Sequence, residues 1–367
     1  MNPSVLVNML WCIPGAVGGS EEYLVRQLLG LAEQPGDPWR PTVVAARGLP
    51  AAHPELAAVA DLVEPEFESR GRVRRIVGEA TWLRRHTGDV DLVHHGGGTA
   101  PMRAHRPYVI TIHDLQFRTY PEYFSRVKRA YLSSVIPPSA RRATVVAVPS
   151  DYVRTSVVEA YGVDPDRVMV VPHGIEPVIA TDITPEAELR RRYALGDGPI
   201  VVYPAVTHPH KNHEFLLQMM RDHWTDPDLR LVLTGGEGLA EHVVSASGDR
   251  RVCRLGRVSA ADRNGLLAMA QAMVFPSKYE GFGAPLIEAM TLGAPVVCSD
   301  ATCMPQIVGD AGLVRPLTVD GWKDVLHDVA SRRDVLVAAG HRRADDFTSK
   351  ASGAALAAVY ARALSLT

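Results

Sequence analysis

Short apolar runs alternate with longer amphipathic stretches through the first part of the chain: Val5 to Leu10, Thr42 to Ala45, Leu92 to His94, Tyr108 to Ile112, Val145 to Val148 and Val168 to Val171. Runs of this kind, bounded by turn residues, read as buried strands, and their alternation with helical segments implies a parallel sheet. A second set follows at Ile200 to Tyr203, Leu229 to Leu233, Val252 to Leu255, Met273 to Phe275 and Pro295 to Val297. The pattern predicts an α/β protein of two Rossmann-like parallel-sheet domains, residues 1–175 and 199–349. Between them, residues 176–198 break the alternation with Pro177, Pro185 and the charged stretch Glu188 to Arg192, and are expected to form a link. A last helix is expected over about residues 350–367.

Composition agrees with this division. At 367 residues the chain has the length of two ordinary domains, and 46% hydrophobic residues suffice for two cores. A formal net charge of -2 argues against nucleic acid as the partner, since a binder of phosphate backbones shows a basic domain. The four cysteines, Cys12, Cys253, Cys298 and Cys303, form no Cys-x-x-Cys pair and are expected as reduced thiols in the cytoplasm. The apolar run Val5 to Ile13 lacks a basic leader and reads as a strand rather than a signal peptide. No run approaches the roughly 18 apolar residues that span a bilayer. From Gly71 to His86, however, Val73, Ile76, Val77, Ala80 and Leu83 recur at helical spacing among Arg72, Arg74, Arg75, Arg84 and Arg85. Such a helix either covers a sheet or docks on anionic lipid, which would place the protein peripherally at the inner membrane face.

Open parallel sheets bind ligands beyond the carboxyl ends of their strands. This criterion selects Gly18, Gly19, His94, His95, His113, Asp114, Ser150, His173 and Gly174 in the first set, and Lys211, Gly235 and Glu280 in the second. The loop from Gly15 to Ser20 suits close approach of a diphosphate to backbone amides, but it is not Gly-x-Gly-x-x-Gly. The strand Thr42 to Ala46 ends in Arg47 without the acid that holds an NAD ribose, so a dinucleotide dehydrogenase is not expected. The pairs Asp89/Asp91, Asp164/Asp166 and Asp226/Asp228 each precede a strand and are read as turn residues, with no catalytic metal or cofactor expected.

The most informative stretch runs from Val274 to Cys298 as strand, acidic loop, helix and strand. Pro285 suits the start of a helix, where its missing N–H costs nothing, and Gly293 suits its end. Glu280 then lies in the loop and Glu288 one turn into the helix. The amides of Phe282, Gly283 and Ala284 stand at the helix N-terminus, where unpaired donors and the dipole favour an electron-rich ligand.

This stretch resembles the donor-site motif of the retaining glycosyltransferases of family 4, which have the GT-B fold. The loop Tyr203 to Glu214, with Lys211, is similar to the family's phosphate-clamp loop; the clamp's usual arginine is replaced by Ala205 and Val206. Tyr108 to Leu115, Val148 to Val153 and Val171 to Glu176 are similar to family segments flanking the site, and Gln306 stands where a Glu is usual. The resemblance implies two domains facing a central cleft, with residues 1–175 on the acceptor side, the final helix packed back on them, and residues 199–349 binding the donor. It implies metal-independent transfer of a hexose, with retention, from a nucleotide sugar to a glycan or lipid-linked acceptor. Glu280 and His113 would act at the reacting sugar. Gly18, Gly19, Lys211, Val258, Phe282, Gly283, Ala284 and Glu288 would bind the donor, and His94, His95 and Asp114 would lie on the acceptor side. The form of the clamp loop is similar to that of bacterial mannosyltransferases of polysaccharide assembly, which suggests GDP-mannose. An epimerase or hydrolase on the same fold, or a non-catalytic binder of nucleotide sugars, stands as the alternative.

Overall fold

The computed structural model describes residues 3–15, 18–36, 39–104 and 107–366, which divide into two compact units, 1–174 with 347–367, and 175–346. Each is built on one parallel sheet. The first unit contains β1 (Val5–Met9), β2 (Thr42–Ala45), β3 (Asp61–Val63), β4 (Leu92–His95), β5 (Tyr108–Thr111), β6 (Val145–Val148) and β7 (Val168–Val170). The second contains β8 (Ile200–Pro204), β9 (Arg230–Thr234), β10 (Val252–Gly256), β11 (Ala272–Phe275), β12 (Val296–Ser299) and β13 (Leu313–Arg315).

The strand orders are β3-β2-β1-β4-β5-β6-β7 and β10-β9-β8-β11-β12-β13. Helical crossovers cover both faces of each sheet, so the central strands are apolar almost throughout. Val5, Val7 and Met9 enter one core cluster of the first unit, whereas Leu6 and Leu10 enter the other, following the two-residue alternation of a strand. In both sheets the chain starts centrally, moves outward on one side, then returns to continue on the other. The reversals fall between β1 and β4 and between β8 and β11.

Residues 176–198 are not a free link. They belong to the second unit, where Leu189 and Leu195 are fully buried and Asp262 accepts hydrogen bonds from Thr184 (2.6 Å), Arg192 (2.5 Å) and Tyr193 (2.5 Å). Donation from this cluster outweighs burial and holds the Asp262 carboxyl down at about 2. The prolines and charges that interrupt the strand–helix alternation are those of the helix Glu186–Arg192 and of this buried polar contact.

The final helix, Ser349–Ser365, lies on the helix Gly19–Ala32 of the first unit. Glycines make the approach: a Cβ on Gly30 would stand 1.7 Å from the Ser349 carbonyl oxygen, and one on Gly353 would stand 2.0 Å from the Gly30 carbonyl carbon. Gln34 Nε2 donates to the Lys350 carbonyl at 3.0 Å, and the Ser352 hydroxyl donates to the Pro172 carbonyl. Gly353→Ala is therefore expected to destabilise the first unit by about 1–3 kcal/mol through overpacking. Gly88→Ala, whose Cβ would meet nothing within 4 Å, should be neutral. Denaturant titration of the two variants checks this, and equal midpoints would show that the helices yield without cost.

Candidate functional site

The reversal in the second sheet brings two loops together. After β8 the chain runs to the 3₁₀ turn Pro209–Lys211 and the helix His213–Asp222, with Asn212 between them at φ 58°. Asparagine is among the few non-glycine residues that enter this region readily. After β11 the acidic loop leads to Gly283, φ 89°, and the helix Ala284–Thr291. The loops are joined through backbone and side chains. The Lys278 amide donates to the His210 carbonyl (2.7 Å), the Tyr203 hydroxyl donates to the Lys211 carbonyl (2.7 Å), and it lies 3.1 Å from Ser277 Oγ.

Lys211 Nζ and Glu280 Oε1 meet at 2.6 Å, with side chains 18% and 12% exposed. Burial, with Lys211 nearby, lowers the His210 imidazole to about 3, and burial lowers that of His213 to about 4. Both are neutral at pH 7, leaving Lys211 as the cation of residues 210–213. Glu288 is buried, with Oε2 3.8 Å from Arg263 Nη1. Arg263 lies on the helix Ala260–Ala268, capped by Ser259 just after Val258. Phe282 is buried, and its backbone with that of Gly283 and Ala284 forms the N-terminus of the helix that carries Glu288.

Several participants had no signal in the sequence reading. Thr302 Oγ1 accepts from the Glu280 amide (3.1 Å), and Cys303 Sγ reaches the carbonyls of Glu280 and Phe282 (3.3 Å each). The positions expected to bear a second clamp cation hold Ala205 and Val206; on the same edge Arg254 is gripped by both Glu241 oxygens (3.0 Å each) and donates to the Gly235 carbonyl (2.8 Å). An adjacent acid that pairs with an arginine from a neighbouring strand is a contact that spacing alone does not reveal.

At the carboxyl edge of the first sheet, Gly18, φ 64°, precedes the helix that opens at Gly19, and a Cβ on either would meet nothing within 4 Å. Ala16 and Val17 of the expected glycine loop lie outside the described residues. Glu21 accepts from the Gly15 amide (3.0 Å) and pairs with His53 (2.9 Å). His113 Nε2 donates to the Gly96 carbonyl at 2.9 Å, which leaves the lone pair on Nδ1. Its ring is walled by Trp11 and Tyr23, at centroid distances of 5.6 and 5.3 Å, and burial lowers its pKa to about 4. Gly97 admits Trp11 here, since a Cβ would stand 2.5 Å from the indole. Asp114 is exposed, with Oδ1 accepting from the Gln116 amide (2.9 Å).

The two histidines expected on the acceptor side are corrected by the structure. His94 is fully buried between the Tyr360 hydroxyl (2.9 Å) and the Thr111 hydroxyl (2.8 Å), so it ties the final helix to β5. His95 is 2% exposed and lies 3.3 Å from Asn8 Nδ2 in the core. Neither can meet a ligand without unpacking the first unit. Alternation along β4 points these adjacent side chains to opposite faces, both of which are covered.

The aspartate pairs lie at the opposite edge. Asp91 accepts from the Ser4 amide (2.7 Å), Asp164 from the Asp166 amide (3.0 Å) and Asp226 from the Asp228 amide (2.9 Å), all before strands. A surface concavity of about 740 Å³ beside Glu186–Arg192 also lies at that edge, ahead of β8.

Comparison with known proteins bears on this geometry. Residues 17–179 match the family described as Glycosyltransferase Family 4, and residues 185–334 match Glycosyl transferases group 1. The chain is 30% identical over 275 residues to the O-antigen chain mannosyltransferase B of Escherichia coli, an alignment covering 70% of this chain and 71% of that protein. It belongs to glycosyltransferase family 4. The O-antigen chain mannosyltransferase RfbU of Salmonella typhimurium is 27% identical, over 63% of each chain. Among solved structures, Anabaena HepE in complex with UDP and glucose superposes with a TM-score of 0.76 at 17% identity, covering 98% of this chain and all of that one. A sucrose-phosphate synthase from Thermosynechococcus elongatus gives 0.76 at the same identity, covering 100% of both. These likenesses show the GT-B fold, and the family makes this chain a glycosyltransferase.

The lowered histidines set an acid limit on folding. Their folded pKa values, about 3 for His94 and about 4 for His95 and His113, lie below the unfolded value, so the unfolded chain binds more protons as pH falls. The stability they contribute is intact above about pH 6.5. Below it, stability falls by up to about 1.4 kcal/mol per pH unit for each histidine. Urea midpoints should therefore drop steeply between pH 7 and 5, and less steeply in His113→Gln. Flat midpoints would mean that these imidazoles titrate normally.

Proposed function

We propose that this family 4 enzyme transfers a mannosyl group from GDP-mannose, with retention of configuration, to a hydroxyl of a glycan or lipid-linked acceptor. The observation that carries the reading is the Lys211–Glu280 pair at the strand-order reversal of the second sheet, beside a helix N-terminus. The two relatives that are O-antigen chain mannosyltransferases support the sugar. Without ligand, ammonium and carboxylate neutralise one another. With donor bound, Lys211 turns to the diphosphate and Glu280 to the hexose hydroxyls, so the pair separates into two gripping groups. As the glycosidic C–O bond breaks, negative charge grows on the diphosphate, and a cation and amides already in place stabilise it without reorganisation. Phe282, Gly283 and Ala284 supply the amides, Glu288 meets the ribose, and the backbone at Val258 meets the base. One aspartate of each pair is engaged with a backbone amide at the far edge, and the diphosphate charge is assigned to Lys211 and protein amides rather than to a metal. In the first unit, the Gly18 and Gly19 amides and the neutral His113 are assigned to the reacting groups, and Asp114 to the acceptor.

Thermal shift against GDP-mannose, UDP-glucose, UDP-N-acetylglucosamine and dTDP-rhamnose tests the donor. A ligand at a hundredfold its dissociation constant stabilises by about 2.7 kcal/mol. GDP-mannose is expected to respond alone, with the response lost in Lys211→Ala. Glu280→Gln should retain GDP binding, because Lys211 is released from its partner, yet lose turnover. Binding without turnover in the native protein, with any acceptor, would leave a non-catalytic binder; donor consumption without acceptor would indicate an epimerase or hydrolase.

The lipid side of the acceptor rests on the helix Arg72–Gly78 and the π-helical turn Glu79–Leu83 that continues it. Only part of the expected apolar stripe is buried: Leu83 is inside, whereas Val73 and Val77 are 74% and 55% exposed beside the exposed Arg72 and Arg74. Val127 is 76% exposed on the neighbouring helix Arg126–Arg142, where Arg72 lies over the Tyr131 ring at 5.6 Å. No described helix is long and apolar enough to cross a membrane. We assign this face to peripheral contact with anionic lipid. Co-sedimentation with phosphatidylglycerol vesicles should be strong at low salt and weak in Arg72→Glu/Arg74→Glu; equal sedimentation with neutral vesicles would remove the assignment.

A further inference from the structure

The loop after β12 holds Thr302 at φ 55°, one of three described non-glycine residues with positive φ. For a β-branched side chain this region is a genuine outlier, and such conformations persist only where surrounding contacts over-determine them. The contacts here all converge on the backbone of the acidic loop. Thr302 Oγ1 accepts from the Glu280 amide at 3.1 Å. Cys303, fully buried, places Sγ 3.3 Å from the Glu280 carbonyl and 3.3 Å from the Phe282 carbonyl. Ser299, at the end of β12, donates from Oγ to the Ser277 carbonyl at 2.6 Å. Between residues 277 and 282 the loop thus rests on side chains from the neighbouring strand and its extension.

We propose that Thr302 and Cys303 are positioning residues for Glu280, fixing the backbone that aims its carboxylate. The proposal rests on the reading of Glu280 as a sugar-gripping group. The two peptide groups that flank the Glu280 Cα are both engaged: the N–H of residue 280 by a hydroxyl that reaches it through the left-handed turn at Thr302, and its C=O by a thiol. Losing either contact would free one of these peptide planes to rotate and swing Glu280 relative to Lys211. A glycine at 302 would take the same backbone turn without strain but would offer no acceptor, which separates positioning from stability.

Hydrogen–deuterium exchange of the ligand-free enzyme reads the brace directly. Thr302→Val and Thr302→Gly are expected to speed exchange across residues 279–283 about fivefold to tenfold, the effect of one lost hydrogen bond, while Thr302→Ser retains the native rate. Thr302→Gly should do so with an unchanged or raised melting temperature. Binding of GDP-mannose and of GDP, measured by calorimetry, reads the consequence: Thr302→Val and Cys303→Ala should weaken GDP-mannose severalfold and leave GDP unchanged, with rescue by Thr302→Ser and Cys303→Ser. Unchanged exchange at residues 279–283 in Thr302→Val would overturn the proposal, as would equal weakening of both ligands with a lowered melting temperature. Glu280→Gln is the separating control. If it leaves the GDP-mannose to GDP ratio unaltered, the role of Glu280 fails; if it lowers the ratio and Thr302→Val does not, the brace fails.

Discussion

A parallel sheet forces each connection to return across the sheet, so the carboxyl ends of all its strands share one edge. Where strand order reverses, neighbouring connections leave on opposite faces and a gap opens at that edge. This constraint places the chemistry of the chain. In the second unit it sets the loops after β8 and β11 side by side and allows a lysine and a glutamate 69 residues apart to meet at 2.6 Å. In the first it gathers Trp11, Gly96 and His113 after β1, β4 and β5. A largely buried ion pair adds little net stability, because desolvation offsets its attraction, and its significance lies in where it stands.

Much of this was legible from apolar patterning because central parallel strands are buried on both faces and leave uninterrupted runs. Two of the four edge strands, β3 and β13, were not. Asp61–Val63 and Leu313–Arg315 are short, and one or more of their residues remain partly exposed, so their patterns merge with the surrounding turns. Glu280, Lys211 and His113 were visible because each follows a strong strand signal. Thr302 and Cys303 were not, since their importance lies in hydrogen bonds to backbone atoms about 20 residues away in sequence. His94 shows the converse limit. Its position at a strand end matched that of a ligand-facing residue, but the hydroxyl of Tyr360, on a helix formed by a remote stretch of chain, closes over it.

The neutral histidines share one cause in both units. Each lies in the packing that builds the site, where burial disfavours the charged imidazole. His113 is thereby kept as a hydrogen-bonding group with a defined tautomer, and His210 and His213 add no charge beside Lys211. Within residues 210–213 the charge facing Glu280 is the Lys211 ammonium alone.

The glycine-lined seam between helices Gly19–Ala32 and Ser349–Ser365 bears on the order of synthesis. Of the two sheets, that of the first unit is made earlier, yet its packing against Leu356, Val359 and Tyr360 awaits residues translated after the entire second unit. Domains that emerge first generally fold first. Here the amino-terminal sheet must spend that interval with part of its core uncovered, while the second unit has all of its chain and can finish ahead of it.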